Sequence, residues 1–361
     1  MIALNRPFVP PVEEFNDFVK SANEIAWLSN FGPLETRLTE ELKAYLGVEH
    51  LLLVNNGSTA LQIAYRTFNI KHALTTPFSF IATASTLDWL NIDFSFADIN
   101  PFDFNIHPDN VLQGITDNPN VDSVVATHIY GNPCDVRALE TLCQEHNKTL
   151  IFDAAHAFSI EFDGESILNF GDASILSFHA TKIFNSIEGG AIVFRNKRDY
   201  DIAREMTCFG MDKTAVINRT GINAKMNEYQ AAAGLVCLQH FEEILQHRRQ
   251  LFATYQALLS DIASFPHWHP NASTSGAYMP LILANEQQLL AVGEAFDAHG
   301  IGYRRYFHPE LSSYYPDKKT YPSSLDVVKD IAPRVMCIPL HAYLTLEEVE
   351  EVCSVIRDVV S

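Results

Sequence analysis

The chain has 361 residues, 47% of them hydrophobic and 19% charged, which is enough apolar material for a folded core and too little charge for a disordered protein. Asp and Glu outnumber Lys and Arg by 44 to 25, so the formal net charge is −19. Because nucleic acids and anionic membranes bind basic surfaces, this charge argues against both as main partners. It leaves open a local basic pocket for a small anion.

No membrane span, leader or disulfide framework is expected. Apolar runs such as residues 51–54 are far shorter than the roughly 20 residues that cross a bilayer. The first residues lack a basic stretch followed by an apolar one, so we expect no signal peptide. The 6 cysteines are scattered without a C-x-x-C pair. We therefore expect a reduced cytoplasmic enzyme.

Short apolar runs alternate with helical stretches between about residues 45 and 200. Helices at 60–68 and 135–146 connect runs that are typical of buried strands. Strands that alternate with helices favour a mainly parallel sheet covered on both faces, with ligands beyond the carboxyl ends of the strands. The predicted strands are 51–54, 123–128, 149–152, 173–178 and 191–194.

The second half of the chain has a different pattern. Residues 228–252 form one long helical pattern without proline, which we interpret as the connection to a second domain. A strand at 278–283, a helix at 287–299 and a strand at 302–306 are predicted beyond it.

The end of the chain predicts one more helix. Thr345 and Glu348 have the spacing of a capping box just before an amphipathic pattern. A chain of this length suggests two domains, at roughly 100–200 residues each. We expect an α/β protein with a large domain over residues 1–245 and a small C-terminal α/β domain over residues 246–361.

Lys182 is the strongest candidate for chemistry. It lies just past a predicted strand, with Ser177 five residues before it and Gly189 and Gly190 after it. An amine nucleophile must meet a carbonyl and be partly neutral, and a desolvated pocket lowers the lysine pKa accordingly. The pattern suits a Schiff-base lysine, although a lone lysine is more often an ordinary surface residue.

Asp153 directly follows the apolar run 150–152, at the ligand-binding edge of the predicted sheet. A carboxylate there can hold a proton on a heterocyclic nitrogen, such as the pyridine nitrogen of pyridoxal phosphate. The alternative is an aspartate that caps a helix. His156, three residues on, is by itself more often structural than catalytic.

Residues 56–59 (N-G-S-T) lie between a predicted strand and a helix. Backbone N–H groups and the hydroxyls of Ser58 and Thr59 at a helix N-terminus form an anion site, unless one of these two residues simply caps the helix. The hydroxyl of Ser177 can reach the same anion. Phe80 lies on a loop where an aromatic ring stacks on a flat ligand or packs in the core.

These four signals together serve the needs of one cofactor. In chain order they are a phosphate loop, a stacking aromatic ring, a carboxylate for a ring nitrogen and a lysine. Their chance assembly is much rarer than any one of them. The sequence therefore predicts a site for pyridoxal 5'-phosphate.

Six motifs occur together in the chain: 57–61 (G-S-T-A-L), 77–80 (P-F-S-F), 130–135 (Y-G-N-P-C-D), 153–157 (D-A-A-H-A), 177–182 (S-F-H-A-T-K) and 221–232 (G-I-N-A-K-M-N-E-Y-Q-A-A). This set resembles the DegT/DnrJ family of pyridoxal-phosphate-dependent sugar aminotransferases. The resemblance implies a fold-type-I aminotransferase, in which a large domain with a mainly parallel sheet is joined to a small C-terminal domain. It also implies a homodimer with active sites at the subunit interface.

The resemblance assigns roles to residues one by one. It implies that Lys182 bonds to the cofactor, Asp153 pairs with the ring nitrogen, and His156 lies near the ring and its phenolic oxygen. Phe80 would stack on the ring face. The implied phosphate contacts are Gly57, Ser58, Thr59 and Ser177.

Further residues are implied for the partner's site and the substrate. Asn223 is expected to reach the phosphate of the other subunit's cofactor, and neighbouring Lys225 is a candidate for the same region and for substrate. Arg304 and Tyr306 resemble the family's small-domain stretch near the substrate, where arginine suits carboxylate or diphosphate groups. A surface arginine is the alternative there.

Two positions depart from the family pattern. Ile187 stands where the family often has glycine, and Lys225 stands where it usually has arginine. These differences affect loop geometry or substrate contacts rather than the covalent chemistry.

The combination of D-A-A-H with F-H-A-T-K most resembles enzymes that aminate C4 of dTDP-4-keto-6-deoxy-D-glucose, with L-glutamate as the donor. The branch that acts on 3-keto sugars more often has glutamine at the position of His156, and C3 amination stays open. Sugar dehydratases of the family have histidine in place of Lys182, and a non-enzymatic regulator would not need Lys182 and Asp153. A hydrolase built on Ser177 and His179 lacks the G-x-S-x-G elbow.

Overall fold

A large sheet forms the centre of the structure, a computed structural model that describes residues 1–360. The strands of the chain are β1 (His50–Val54), β2 (His72–Thr75), β3 (Asp93–Ala97), β4 (Ser123–Thr127), β5 (Thr149–Asp153), β6 (Glu161–Phe162), β7 (Glu165–Ser166), β8 (Ala173–Ser177), β9 (Gly190–Phe194), β10 (Met279–Ile282), β11 (Thr320–Tyr321) and β12 (Val335–Ile338). Eight of them form the large sheet, in the order β1-β9-β8-β5-β4-β2-β3-β11.

Helices cover both faces of this sheet. Along β1, Leu51 and Leu53 belong to one core cluster and Leu52 and Val54 to the other, because successive side chains of a strand point to opposite faces. The helices of the chain are α1 (Val12–Ile25), α2 (Pro33–Leu46), α3 (Gly57–Thr67), α4 (Ile81–Trp89), α5 (Pro108–Asp117), α6 (Val136–Glu145), α7 (Lys197–Met206), α8 (Glu228–Gln239), α9 (Phe241–Leu259), α10 (Glu286–His299), α11 (Asp326–Ile331) and α12 (Leu346–Val360).

The sheet is mainly parallel, as predicted. Strand β9 is antiparallel to both of its neighbours, β1 and β8, while the other pairings are parallel. The carboxyl ends of β4, β5 and β8 therefore meet at one edge. This edge receives the loops that carry the candidate site residues.

The expected single helix over residues 228–252 is wrong, because the chain bends at His240 between α8 and α9. His240 has φ −96° and ψ −1°, outside the helical range. Tertiary contacts set this bend: Phe241 is fully buried with its ring 4.9 Å from that of Phe158, and His240 Nε2 lies 2.8 Å from the Glu14 carboxylate. No proline marks the position in the sequence.

The expected strand over residues 302–306 is also wrong. Arg304 alone of this segment pairs with Cys337 of β12, through hydrogen bonds of 3.1 and 2.7 Å. The N–H of Tyr306 then donates to the carbonyl of Arg304, so the chain turns after one bridging residue. The turn brings residues 304–306 to the cavity at the edge of the large sheet. The segment therefore does not continue as a strand beside β12.

A separate core lies in the C-terminal part of the chain. Strands β10 and β12 pair antiparallel, and α10, α12 and the later turns of α9 pack with them around Tyr255 and Val349. The capping box before α12 is confirmed: the Glu348 N–H lies 3.2 Å from Thr345 Oγ1, and the Thr345 N–H lies 2.9 Å from the Glu348 carboxylate.

Two short segments link this core to the rest of the molecule. Ile2 packs in the C-terminal core and bridges to Ile301, and β11 adds an edge strand to the large sheet beside β3. The division at residue 245 stays a prediction. Among residues 1–360, none of the helices is both long and apolar enough to cross a membrane.

Candidate active site

A cavity of about 560 Å³ opens at the carboxyl ends of β4, β5 and β8. It collects most of the site residues predicted from the sequence, which lie far apart along the chain. Those that line it are Gly57, Ser58, Phe80, Asp153, His156, Ser177, Lys182, Arg304 and Tyr306.

Asp153 is the last residue of β5 and is buried at the floor of the cavity. Its Oδ2 accepts a 2.7 Å hydrogen bond from Thr83 Oγ1, and its Oδ1 accepts a 3.2 Å bond from the Ala155 N–H. Burial raises the pKa of this carboxyl, while the two hydrogen bonds and the nearby charge of Lys182 lower it. The carboxylate therefore faces the cavity and does not cap a helix.

Lys182 lies on the loop between β8 and β9. Its side chain lines the cavity and is not an ordinary surface lysine. Its Nζ is 3.4 Å from the hydroxyl oxygen of Tyr278. Burial lowers the pKa of Lys182 to about 8, against the opposing influence of Asp153 and Tyr306. A substantial fraction of the amine is therefore neutral near physiological pH, as a nucleophile requires.

His156 follows β5 and is buried beside the cavity. Its ring centroid is 4.6 Å from that of Tyr278, and its ring is parallel to that of Phe307 at 6.0 Å. Burial lowers the pKa of the imidazole, so the ring is neutral. Its Nδ1 is buried without a hydrogen-bond partner among the described residues. An unpaired buried nitrogen in a cavity wall is available to a ligand.

The predicted anion site lies at the first turn of α3. The residue that caps this helix is Asn56, whose Oδ1 accepts from the Thr59 N–H at 2.8 Å and from Thr59 Oγ1 at 2.9 Å. Capping by Ser58 or Thr59 is thus wrong, and the hydroxyl of Ser58 stays on the cavity wall. A Cβ at Gly57 would lie 2.9 Å from Ser177 Cβ, so only glycine lets the helix end approach Ser177 this closely.

Phe80, Arg304 and Tyr306 also line the cavity. The Phe80 ring is 48% exposed and is therefore accessible to a ligand instead of being packed in the core. The Arg304 guanidinium lies over the Tyr306 ring, 4.9 Å from its centroid. Arg305 pairs instead with Glu286 at 2.5 Å.

Asn223 and Lys225 lie outside this cavity. Lys225 Nζ donates a 2.7 Å hydrogen bond to Asn223 Oδ1 on the loop before α8. Their expected contact with another subunit's cofactor stays a prediction.

Comparison with known proteins places the chain in a family. Residues 11–357 match the model of the DegT/DnrJ/EryC1/StrS aminotransferase family. The chain belongs to this family. It is a pyridoxal-phosphate-dependent aminotransferase, as the sequence motifs predicted.

Relatives of this aminotransferase include two transaminases and a solved structure. The chain is 36% identical to the dTDP-4-amino-4,6-dideoxy-D-glucose transaminase of Shigella dysenteriae, over 99% of each chain. It is 30% identical to a protein of the same name from Escherichia coli, over 97% of this chain and 96% of that one. The crystal structure of DesI in the presence of its TDP-sugar product superposes with a TM-score of 0.91 at 29% identity, over 99% of this chain and 92% of DesI.

The residues present fit the family's cofactor. A planar phosphorylated aldehyde needs an amine, a buried carboxylate for its ring nitrogen and donors for its phosphate. The aminotransferase places Lys182, Asp153 and the Ser58–Ser177 anion site around one cavity. The buried Nδ1 of His156, which has no hydrogen-bond partner among the described residues, is a further feature that fits a bound ligand.

Sequence reasoning missed several residues of the aminotransferase site. Thr83 lies on α4 and bonds Asp153, while Tyr278 and Phe307 come from the C-terminal part of the chain and pack on His156. Tyr278 falls within the predicted strand at 278–283, but a strand pattern does not reveal which side chain reaches a distant lysine. These residues have no local motif.

Proposed function

We propose that this aminotransferase moves the amino group of L-glutamate to C4 of dTDP-4-keto-6-deoxy-D-glucose, forming dTDP-4-amino-4,6-dideoxy-D-glucose. The observation that carries the proposal is the 36% identity, over 99% of each chain, with the Shigella dysenteriae transaminase of that amino sugar. The histidine at position 156, in the motif D-A-A-H, supports C4 over C3 amination. The crystal structure of DesI with its TDP-sugar product supports the nucleotide class.

We assign the cofactor contacts to residues around the cavity. Lys182 would hold pyridoxal phosphate covalently through Nζ, Asp153 its ring nitrogen, and His156 and Phe80 the ring. When bound, the cofactor supplies an electron-poor ring that stabilises negative charge on the carbon that loses a proton. The phosphate would be held by the N-terminal turn of α3 and nearby hydroxyls, at Gly57, Ser58 and Ser177. The predicted contact from Thr59 is not supported, because Thr59 does not line the cavity and its N–H and hydroxyl both donate to Asn56.

Asp153 acts by keeping its negative charge next to the ring nitrogen. Its two accepted hydrogen bonds stabilise the ionised carboxylate against the effect of burial. The carboxylate is thereby held in one orientation before any substrate binds, as electrostatic stabilisation of a transition state requires.

Lys182 acts as the acid and base of the reaction. Once L-glutamate has displaced it, the free amine at Nζ would take the proton from the donor's α carbon and pass it to the cofactor carbon that is bonded to the transferred nitrogen. A pKa lowered to about 8 suits both halves of this exchange, because both protonation states are populated near neutral pH.

The sugar nucleotide and the donor are both anionic, and the chain as a whole is acidic. Arg304 on the cavity rim is the cation that we assign to one of these groups, with Tyr306 beside it. Lys225 would add a second cation from a neighbouring subunit.

We further propose a homodimer whose two cavities lie at the interface. The support is a set of large apolar side chains that are half or more exposed: Trp27, Ile187, Phe209 and Ile217. Exposed apolar residues of this size favour a protein partner. Asn223 would then reach the neighbouring cofactor. A cytoplasmic location stays a prediction, supported by the absence of disulfides among the 6 cysteines.

The decisive experiment is incubation of the purified holoenzyme with L-glutamate and a panel of dTDP- and GDP-linked 3-keto and 4-keto sugars. We expect one aminated product, with the amine at C4 of the dTDP sugar, identified by mass spectrometry and NMR. An amine at C3 or a preference for GDP would contradict the substrate assignment. The variant Lys182→Ala is the control, since it should fold and form no product; product formation at the normal rate would refute the role of Lys182.

A further inference from the structure

Tyr278 connects two residues of the proposed site. Its hydroxyl oxygen accepts a hydrogen bond from Lys182 Nζ at 3.4 Å, and its ring lies 4.6 Å from that of His156. The ring of Tyr306 meets it edge-on at 5.7 Å. Such bonds are often long before a ligand binds and tighten in the working complex. Tyr278 therefore touches the atom that carries out the proposed proton transfer.

A buried arginine fixes the segment that leads to Tyr278. Arg248 on α9 is 3% exposed, and its guanidinium donates to the carbonyls of Gly276 at 2.8 Å and Ala277 at 2.9 Å. Arg249 adds a 2.6 Å bond to the carbonyl of Thr274. Three carbonyls within four residues are thus held by two neighbouring arginines. A buried arginine usually pairs with a carboxylate. Arg248 instead donates to two backbone carbonyls, so its buried guanidinium fixes the position of this backbone segment.

Glycine at position 276 is what permits this arrangement. Gly276 has φ +60°, and a Cβ there would lie 3.0 Å from the carbonyl oxygen of Arg248. A side chain would therefore be strained and would push the segment away from α9.

We propose that Tyr278 holds the amino group of Lys182 in place whenever that amine is not bonded to the cofactor, and that Arg248 positions Tyr278 for this task. The proposal rests on the proposed function and adds a residue to it. Lys182 Nζ has N–H groups to donate in both protonation states, so the hydroxyl of Tyr278 holds the amine in either state and favours the charged form less than a carboxylate would.

The alternative partner of the free amine is Asp153. Its negative charge favours the protonated amine, and an ion pair between the two would occupy both groups at once. A lysine side chain also has several freely rotating bonds, whose restriction must come from some contact. The neutral hydroxyl of Tyr278 restricts the lysine side chain without forming an ion pair, and Arg248 fixes the segment that carries it.

The test compares Tyr278→Phe with the wild type in two measurements. The first is the rate at which the cofactor-free protein captures pyridoxal phosphate covalently, followed by absorbance; it does not depend on turnover. The second is the steady-state kinetics of transamination with L-glutamate. Tyr314→Phe, which removes the hydroxyl of a largely exposed tyrosine, is the matched control.

We expect Tyr278→Phe to capture the cofactor roughly tenfold more slowly and to lower kcat about 10- to 100-fold, with KM for L-glutamate changed less than threefold. Arg248→Lys should show a smaller effect of the same kind, because its single ammonium group cannot hold two carbonyls as the planar guanidinium does. Tyr314→Phe should behave as the wild type.

Wild-type capture and kcat in Tyr278→Phe would overturn the proposal. A change confined to KM would also overturn it, since Tyr278 would then bind substrate instead of holding Lys182. If the wild type captures the cofactor but aminates no sugar, the proposed function fails, while the capture rates still decide whether Tyr278 holds Lys182.

Discussion

Thr83 donates a 2.7 Å hydrogen bond to the buried carboxylate of Asp153. The Thr83 hydroxyl is itself 3.0 Å from Ser79 Oγ, which is 3.0 Å from Thr127 Oγ1. This buried row of hydroxyls runs from the end of β4 to the end of β5 and ends on the group assigned to the cofactor's ring nitrogen. It stabilises the ionised form of Asp153 where burial opposes it.

Replacing Thr83 by valine should weaken cofactor binding while keeping the shape of the side chain. A hydrogen bond to a charged group is worth about 1.5–3 kcal/mol, so we expect the dissociation constant for pyridoxal phosphate to rise roughly tenfold or more. Titration of the cofactor-free protein measures it. Thr86→Val is the control, because Thr86 is buried on the same helix and its side chain makes no hydrogen bond within residues 1–360. Equal affinities of the two variants would show that Asp153 does not depend on Thr83.

The capture of pyridoxal phosphate by the cofactor-free protein should depend on pH through Lys182. Only the neutral amine attacks an aldehyde, and burial lowers the pKa of Lys182 from 10.5 to about 8. We therefore expect the capture rate to rise with pH up to about 8 and then level off. Rapid-mixing absorbance at a series of pH values measures this profile. A rate that still rises steeply above pH 9 would contradict the lowered pKa.

Glu35 should make the fold less stable as the pH rises. Burial and the neighbouring Glu228 carboxylate raise the pKa of Glu35 from 4.5 to about 7. The folded chain therefore keeps a proton that the unfolded chain loses between about pH 4.5 and 7, so this group's contribution to stability falls across that window. Glu228 cannot move away, because its carboxylate accepts from the N–H groups of Leu34 and Glu35.

The substitution Glu35→Gln removes this titration. Relative to the wild type, the variant should gain on the order of 3 kcal/mol in free energy of unfolding between pH 4 and pH 8. Urea denaturation at the two pH values measures the difference. Glu40→Gln, on an exposed position of the same helix, is the control. A constant difference between Glu35→Gln and wild type would mean that Glu35 stays ionised in the fold.

Ile187 occupies a strained backbone position on the loop that carries Lys182. Its φ is +69°, a left-handed conformation that β-branched residues rarely adopt, and its side chain is 53% exposed. The turn holds it there, because the Ile187 N–H donates to Asn185 Oδ1 and the Ser186 hydroxyl donates to the carbonyl of Glu188.

Ile187→Gly should relieve this strain and raise the free energy of unfolding of the isolated subunit by roughly 1 kcal/mol. Chemical denaturation at low protein concentration measures it.

If the exposed side chain of Ile187 also lies in the proposed subunit interface, Ile187→Gly should make the dimer dissociate more readily, as sedimentation would show. Ile217→Gly, at an exposed apolar residue with negative φ, separates the two effects, since it should weaken association without raising stability. A less stable Ile187→Gly subunit would contradict the strain argument.

The sequence predicted those parts of the site that follow directly on a strand. Asp153 could be placed at the sheet edge because it directly follows a buried apolar run, and Lys182 because it lies just past the predicted strand 173–178, which contains Ser177. Contacts from distant segments could not be predicted, because no periodic pattern records that Tyr278 lies against Lys182 or that Thr83 faces Asp153. The bend at His240 and the turn at Arg304 were missed for the same reason: side chains from other elements decide them.

Strand β9 is the one strand of the large sheet that runs against its neighbours, and it follows β8 directly. Lys182 therefore belongs to a hairpin connection, whereas Asp153 ends a strand of the parallel core. For protein engineering this separation means that a change in the 178–189 loop leaves the crossover helices in place, provided that the core residues Phe178, Ile183 and Phe184 are kept. Loops taken from other members of the aminotransferase family would carry their own lysine, while Asp153 would stay unchanged.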